Sequence, residues 1–294
     1  MKNTEKKDED LVKIVQPLVD WYRENKRDLP WRHNPDAYRV WISEIMLQQT
    51  RVEAVKGYYD RFLKALPTVK DLAEAEEDKL LKLWEGLGYY NRVRNMQKAA
   101  QQIMVDHEGI FPDTYEEILQ LKGIGNYTAG AISAFAYGIP KPAVDGNVLR
   151  VISRITGSYE DIMKQSARKK IENSLEQVIP SDAASDFNQG LIELGAIVCV
   201  PNGEPKCEEC PVKEYCIACK EKLTTEIPVK KKAKTRKIEE RTILIFKDGK
   251  RIAIRKRPAK GLLAGLYEFP NVEGKLSMDE VTEYSKTIGL MPVR

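Results

Sequence analysis

The hydrophobic period of this chain changes once, and that change limits the fold more than any other feature. Through residues 8–220 apolar side chains recur every three to four positions, in DAYRVWISEIMLQQ, DKLLKLWEGL, RVRNMQKAAQQIMVD, TYEEILQL and RKKIENSLEQVI, with Pro and Gly between the segments. After residue 240 the period falls to two. TILIFK, then Asp248-Gly249, then KRIAIRKR predicts a β-hairpin with an Asp-Gly turn, and a helix is expected over about 277–288. The pattern divides the chain into a mainly α body over 1–220, a basic linker over 221–240 and a partial α+β unit over 241–294. A length of 294 residues allows about two domains. The last unit has strands but no visible way to close a sheet, so it is expected to be incomplete.

Charge is unevenly spread. The net charge is +4, yet residues 220–260 hold sixteen Lys/Arg against five Asp/Glu, a local +11 that leaves −7 for the remainder. A polyanionic partner fits this asymmetry, and a solvated linker fits it equally well. The start, MKNTEKKDED, lacks the apolar stretch of a secretory signal, and no run of about 18 apolar residues occurs. No membrane span is therefore expected, and the expected compartment is the cytoplasm, or the nucleus if the cell has one. His33 and His107 are too few and too far apart for a histidine-based metal hydrolase. A Nudix hydrolase is excluded because no GX5EX7REUXEEXGU-like acidic helix is present to hold magnesium.

The clearest local motif is LKGIGNYTAGAISAFAYG, residues 121–138. It predicts a helix ending at Gly123, a hairpin Gly123-Ile124-Gly125 and a second helix from about Asn126. Two glycines let the backbone come close to a ligand, and the new helix offers free N–H groups that suit a phosphate. A helix-hairpin-helix element grips a DNA backbone in this way without reading bases. Gly-X-Gly alone is equally an ordinary helix cap. Tyr-Thr-Ala-Gly directly after it, and Asp145 about twenty residues on, favour the DNA reading.

Asp145 lies in KPAVDGNVLRVISR at a loop-to-helix junction, where it can cap the helix and still face a positive charge developing on a sugar. Glu44 lies among Trp41, Ile42, Ile45, Met46 and Leu47 on a helix otherwise built for burial. Desolvation would raise its pKa toward neutrality, as a proton donor at neutral pH requires, although an exposed stripe is the alternative placement. Gln48, Gln49 and Thr50 follow as an uncharged polar tip suited to entering a base stack.

All five cysteines fall between Cys199 and Cys219. A disulfide framework would spread them, so the cluster points to a metal site. Cys199, Cys207, Cys210 and Cys216 give the spacing C-x7-C-x2-C-x5-C, with Cys219 a further C-x2-C partner of Cys216. A 4Fe–4S cluster is one occupant. A zinc ion on Cys207, Cys210, Cys216 and Cys219 is the other.

At these residues the chain resembles the adenine DNA glycosylases of the MutY type, in the helix-hairpin-helix superfamily that includes endonuclease III. LPWR, WISEIMLQQT, WEGLGYYNRVRN, LKGIGNYTAGAI, VDGNVLRV and NQGLIELGAIVC carry the likeness from about Trp21 to Cys216. RKRPAKGLLAGLYEFPNVEG is similar to the start of that family's Nudix-related C-terminal domain. The resemblance implies a two-lobed, mainly α fold, with the middle of the chain as one lobe. The N-terminal helix and the region from about Pro140 to the cysteines would form the other. It implies that Glu44 protonates adenine N7 while Asp145 stabilises an oxocarbenium-like sugar, supported by Tyr127 and Asn147. Trp31, Arg32 and Gln189 match a pocket for the flipped adenine. Gln49, Thr50, Leu87, Gly88 and Tyr89 match positions that wedge the duplex.

The same likeness implies a 4Fe–4S cluster on Cys199, Cys207, Cys210 and Cys216, and a monomer acting on duplex DNA with an A·8-oxoguanine or A·G mispair. Its first cysteine gap is seven residues where the family usually has six, which keeps Cys219 open as a replacement for Cys199. Tyr267 stands where the family often has Trp. A bifunctional lyase of the endonuclease III kind would need a lysine where Tyr127 stands. A non-catalytic DNA-binding protein would not need both Glu44 and Asp145.

Overall fold

The computed structural model describes residues 11–231, 238–258 and 261–290. The charged start MKNTEKKDED and most of the run KKKAKTRK lie outside the described residues. Two compact units divide after Lys231. Residues 223–229, expected to begin the connector, belong to the first: Ile227 is buried, and Arg154 Nε donates to its carbonyl at 2.8 Å.

The first unit is helical. α1 (Val15–Asn25) is followed by a 3-10 turn at Pro30–Arg32, then α2 (Ala37–Leu47) and α3 (Val52–Ala65). Two short helices, α4 (Val69–Glu74) and α5 (Glu77–Leu83), lead to the longer α6 (Asn91–Asp106). α7 (Tyr115–Gln120) and α8 (Asn126–Tyr137) flank the glycine hairpin. α9 (Gly146–Ile155), α10 (Gln165–Glu176), α11 (Ala184–Ile197) and the single turn α12 (Ile217–Lys220) complete it. Each segment with helical periodicity contains a helix, and side chains set several of the starts. Asp36 caps α2 by accepting from Arg39 N at 2.8 Å, and Thr68 with Asp71 forms a capping box on α4. The first motif helix ends at Gln120 rather than Gly123, and residues 121–125 form the turn.

Two separate cores divide this unit into lobes, as expected. One packs Trp41, Phe62, Trp84, Met96 and Ile132, from α2 to α8. The other joins Leu18 of α1 to Val148, Ile152, Phe187 and Leu191 of α9 and α11. α11 packs on α1 and α9 and also reaches α8, so it spans both lobes. Its crossing with α9 is close: a Cβ on Gly195 would lie 2.5 Å from Asn147 Cβ.

The second unit holds three antiparallel pairs and one helix among its described residues. β1 (Arg241–Ile243) pairs with β6 (Asn271–Glu273), β2 (Lys247–Asp248) with β3 (Arg251–Ile252), and β4 (Arg255–Lys256) with β5 (Tyr267–Glu268). α13 (Met278–Thr287) starts on a Ser277–Glu280 capping box, in line with the expected 277–288 helix. The predicted hairpin is corrected in extent. Its ladder is only two residues per strand, the turn falls at Gly249-Lys250, and Ile243 pairs instead with Asn271.

Candidate active site

A cavity of about 650 Å³ opens in the first unit between residues of the two lobes. α2 contributes Glu44 to its wall, α8 contributes Tyr127 from its first turn, and the start of α9 contributes Asp145 and Asn147. Glu44 is 6% exposed, so the carboxylate is on the buried stripe of α2 and not its outer one. Tyr127 Oη donates to Glu44 Oε2 at 2.5 Å. Burial pushes the Glu44 pKa up to about 7, against the pull of the Tyr127 hydrogen bond; the Asp145 charge adds to the rise and Arg32 opposes it. With Oε2 taken by the phenol, Oε1 remains to carry a transferable proton.

Asp145 caps α9. Its Oδ1 accepts from the backbone N–H of Asn147 and of Val148, both at 2.8 Å, and its Oδ2 accepts from Asn147 Nδ2 at 2.7 Å. Burial raises its pKa, while these donors and the nearby Arg150 guanidinium work the other way. Capping and a fixed carboxylate therefore coexist in one residue. Arg150 in turn donates to Asn147 Oδ1 at 2.9 Å, to Gly195 O at 2.8 Å and to Cys199 O at 2.8 Å.

The same cavity carries a feature that reading the sequence missed. Glu193 is fully buried on α11 and accepts from Arg27 Nε at 2.7 Å and Arg32 NH2 at 2.7 Å. Burial alone would raise it, but the two guanidiniums outweigh that and hold it at about 2. Arg32 also donates to Gln189 Oε1 at 3.2 Å. Trp31, Arg32 and Gln189 line this cavity together with Arg27, Leu47, Val52 and Ile192, which were not singled out.

Gln49 and Thr50 line the same cavity; Leu87, Gly88 and Tyr89 do not. They form a separate turn in which Gly86, Gly88 and Tyr89 all have positive φ and Tyr89 is 64% exposed. Gly123 and Gly125 line a neighbouring opening of about 400 Å³ with Gln48, Tyr127 and Arg168. Gly123 has φ +80°, and a Cβ there would lie 2.7 Å from Asn95 Cβ, so this turn needs glycine for both conformation and space.

Against these surroundings the comparisons with known proteins are specific. Residues 42–181 match the model of the HhH-GPD superfamily base excision DNA repair protein. An adenine DNA glycosylase of Buchnera aphidicola subsp. Acyrthosiphon pisum is 39% identical over 88% of this chain and 74% of its own length. The chain belongs to the adenine DNA glycosylase family. It is accordingly a DNA glycosylase of base-excision repair. The Arabidopsis thaliana adenine DNA glycosylase is 38% identical over 88% of this chain but only 47% of its own length. Among solved structures, a thermostable thymine-DNA glycosylase matches at 30% identity and a TM-score of 0.65, over 74% of this chain and 99% of that one. A non-covalent endonuclease III–DNA complex, 22% identical, matches with a TM-score of 0.62 over 74% of this chain and 98% of that one, and shares the fold.

The cysteines converge in this family member's second lobe. Cys199, Cys207, Cys210, Cys216 and Cys219 line one small recess with Arg154. Arg154 NH1 donates to Cys199 Sγ at 3.2 Å. Burial and then the neighbouring cysteines push the Cys207 thiol up to about 11, and burial takes Cys210 to about 12. No group of three or more His, Cys, Asp or Glu side chains among the described residues is disposed to hold an ion as it stands. The donor set nonetheless fits a thiophilic group: five soft sulfurs around one recess, with a guanidinium beside them to offset thiolate charge. No helix among the described residues is long and apolar enough to cross a membrane.

Proposed function

We propose that this glycosylase hydrolyses the N-glycosidic bond of adenine mispaired with 8-oxoguanine or guanine in duplex DNA. The observation that carries the reading is the Tyr127–Glu44 hydrogen bond inside a cavity shared with Asp145. Glu44, with a pKa near 7, protonates the leaving adenine. Asp145, fixed by three donors, faces the positive charge that grows on the sugar as the bond breaks, with Asn147 holding it in place. This is the two-carboxylate logic of glycoside hydrolysis applied to a base. Trp31, Arg32 and Gln189 receive the flipped base. Gln49, Thr50, Gly88 and Tyr89 part the duplex, with Leu87 buried in the first core as the root of that turn, while Gly123 and Gly125 let the hairpin approach a phosphate.

The enzyme is monofunctional on this reading, because a phenol at Tyr127 cannot form the Schiff base that a lyase needs. It acts as a monomer on nucleoid DNA in the cytoplasm. Cys199, Cys207, Cys210 and Cys216 would hold a 4Fe–4S cluster, four sulfurs of the one recess. The second unit is read as a Nudix-like element of the 8-oxoguanine-recognition kind, from the segment RKRPAKGLLAGLYEFPNVEG.

Single-turnover excision on A·8-oxoguanine and A·G duplexes tests the proposal, with borohydride added in parallel. Adenine release without a trapped enzyme–DNA adduct is expected. Rapid, stoichiometric trapping would overturn the monofunctional assignment, and zinc in place of iron and acid-labile sulfide in anaerobically purified protein would overturn the cluster.

A further inference from the structure

Arg92 lies near the start of α6 and lines neither the cavity nor the cysteine recess. Its guanidinium nevertheless touches five backbone carbonyls. NH1 donates to Ile45 O at 2.7 Å, to Gln48 O at 2.8 Å and, more weakly, to Met46 O at 3.3 Å. NH2 donates to Leu87 O at 2.9 Å and Gly88 O at 3.2 Å. The first group closes the C-terminus of α2, where the last carbonyls of a helix have no further turn to receive them and favour a cation. The second group belongs to a turn some forty residues later.

The guanidinium also lies 5.3 Å from the Trp84 ring centroid and 5.8 Å from that of Tyr89. No carboxylate pairs with it among the described residues, and its buried Nε has no hydrogen-bond partner. A half-buried cation satisfied by carbonyls and aromatic faces is costly to place, and it persists only where the fold imposes it.

Both joined segments hold backbone that favours glycine. Gln49 has φ +58° and Tyr89 φ +47°, neither a glycine, and Gly86 and Gly88 stand at φ +97° and +69°. Non-glycine residues in that region cost energy unless neighbouring contacts over-determine them. Trp84 Nε1 adds one such contact by donating to Gly88 O at 3.1 Å. The fork of Arg92 is the contact common to both segments.

We propose that Arg92 is a positioning residue that locks the Gln48–Thr50 tip and the Leu87–Tyr89 turn into one rigid probe, set before DNA arrives. The proposal rests on the reading that these two segments part the duplex. Because Ile45 and Met46 directly follow Glu44, the same fork ties the probe to the helix that carries the acid. The advantage is preorganisation: loops already in place lose less freedom on binding.

Arg92→Lys keeps the charge but loses the planar fork that spans both segments. 2-Aminopurine at the target position, opposite 8-oxoguanine, fluoresces more strongly as it unstacks, and stopped-flow recording follows that step directly. The lysine variant should bind the duplex nearly as well as wild type, yet unstack the probe more slowly and to a smaller extent. Its excision of mispaired adenine should fall on the order of 10- to 100-fold, the scale of a small misplacement at a reacting centre. On adenine opposite an abasic site, where extrusion is easier, excision should stay near wild type. Wild-type unstacking, or equal losses on both substrates, would overturn the proposal. Tyr89→Ala and Gln49→Ala separate it from its premise. If neither changes unstacking, the duplex-parting reading fails; if either does while Arg92→Lys does not, the lock alone fails.

Discussion

Glu44 on α2 and Glu193 on α11 are both buried and line one cavity, and their surroundings drive them in opposite directions. Glu44 faces a phenol and lies near a second carboxylate, so burial dominates and its pKa rises to about 7. Glu193 faces two guanidiniums at 2.7 Å each, which overcome burial and hold it at about 2. Each displacement from the ordinary glutamate value is worth about 3 kcal/mol of pH-dependent stability. The signs differ. Folded Glu44 binds its proton more tightly than the unfolded chain does, so its contribution is present below about pH 4.5 and is lost as pH rises through about 7. Glu193 contributes above about pH 4.5 and loses that contribution as pH falls toward 2. Near neutral pH the Glu44 surroundings thus cost stability, and the Glu193 surroundings supply it.

The largest effect should come from removing the proton. Glu44→Gln keeps the shape of the side chain, so duplex binding should persist while single-turnover excision falls by about 10² to 10⁴. The same variant should unfold at a higher temperature than wild type at pH 8, with the difference closing at pH 5. Excision within about tenfold of wild type would remove Glu44 from the role of acid.

Glu193→Gln inverts the comparison. Arg27, 35% exposed, and Arg32 would lose their charge partner, at a screened cost of roughly 1.5–3 kcal/mol. Chemical denaturation at pH 7 should show that loss, and the gap from wild type should narrow as pH drops below 4. An unchanged midpoint at pH 7 would mean that the two arginines do not depend on Glu193.

Glu44 could be found in the sequence because a carboxylate stood among Trp41, Ile42, Ile45 and Met46, a local contradiction between charge and burial. Glu193 carries the same signal among Leu191, Ile192 and Leu194. What separates the two lies far along the chain: Arg27 and Arg32 are 166 and 161 residues from Glu193. Periodicity reports which face of a helix is buried, and partners at that distance leave no trace in it. Arg92 was hidden for another reason, since NRVRN at the start of a long helix reads as solvated surface. The helices and the glycine hairpin were legible because helix signals are local. Strand pairing was not: Asp248-Gly249 marked a turn nearby, but the partner of Ile243 is Asn271, beyond the reach of a hairpin rule.

The smallest expected effect is also the most direct test of how Glu44 is tuned. Tyr127→Phe removes one donor and leaves the ring, so packing against α2 should change little. That donor stabilises the charged carboxylate and lowers its pKa; burial and the Asp145 charge raise it and remain in the variant. Loss of the donor must therefore move the Glu44 pKa further up. On the proposed role of Glu44 as acid, the wild-type rate should decline as pH rises through about 7. In Tyr127→Phe the decline should begin later, by about one pH unit, since a hydrogen bond to a charged group is worth roughly 1.5–3 kcal/mol and the vacated space admits some water. At pH 6 the two enzymes should be close in rate, apart from any looser placement of the acid. At pH 8.5 the variant should hold the larger share of its own maximum. Single-turnover rates from pH 5.5 to 9 on one duplex separate this from a simple loss of activity, which would lower the whole profile without moving its alkaline limb. A limb displaced to lower pH would mean that the phenol donates its bond to the protonated acid, and that tuning of Glu44 by Tyr127 runs opposite to the direction argued from the 2.5 Å contact.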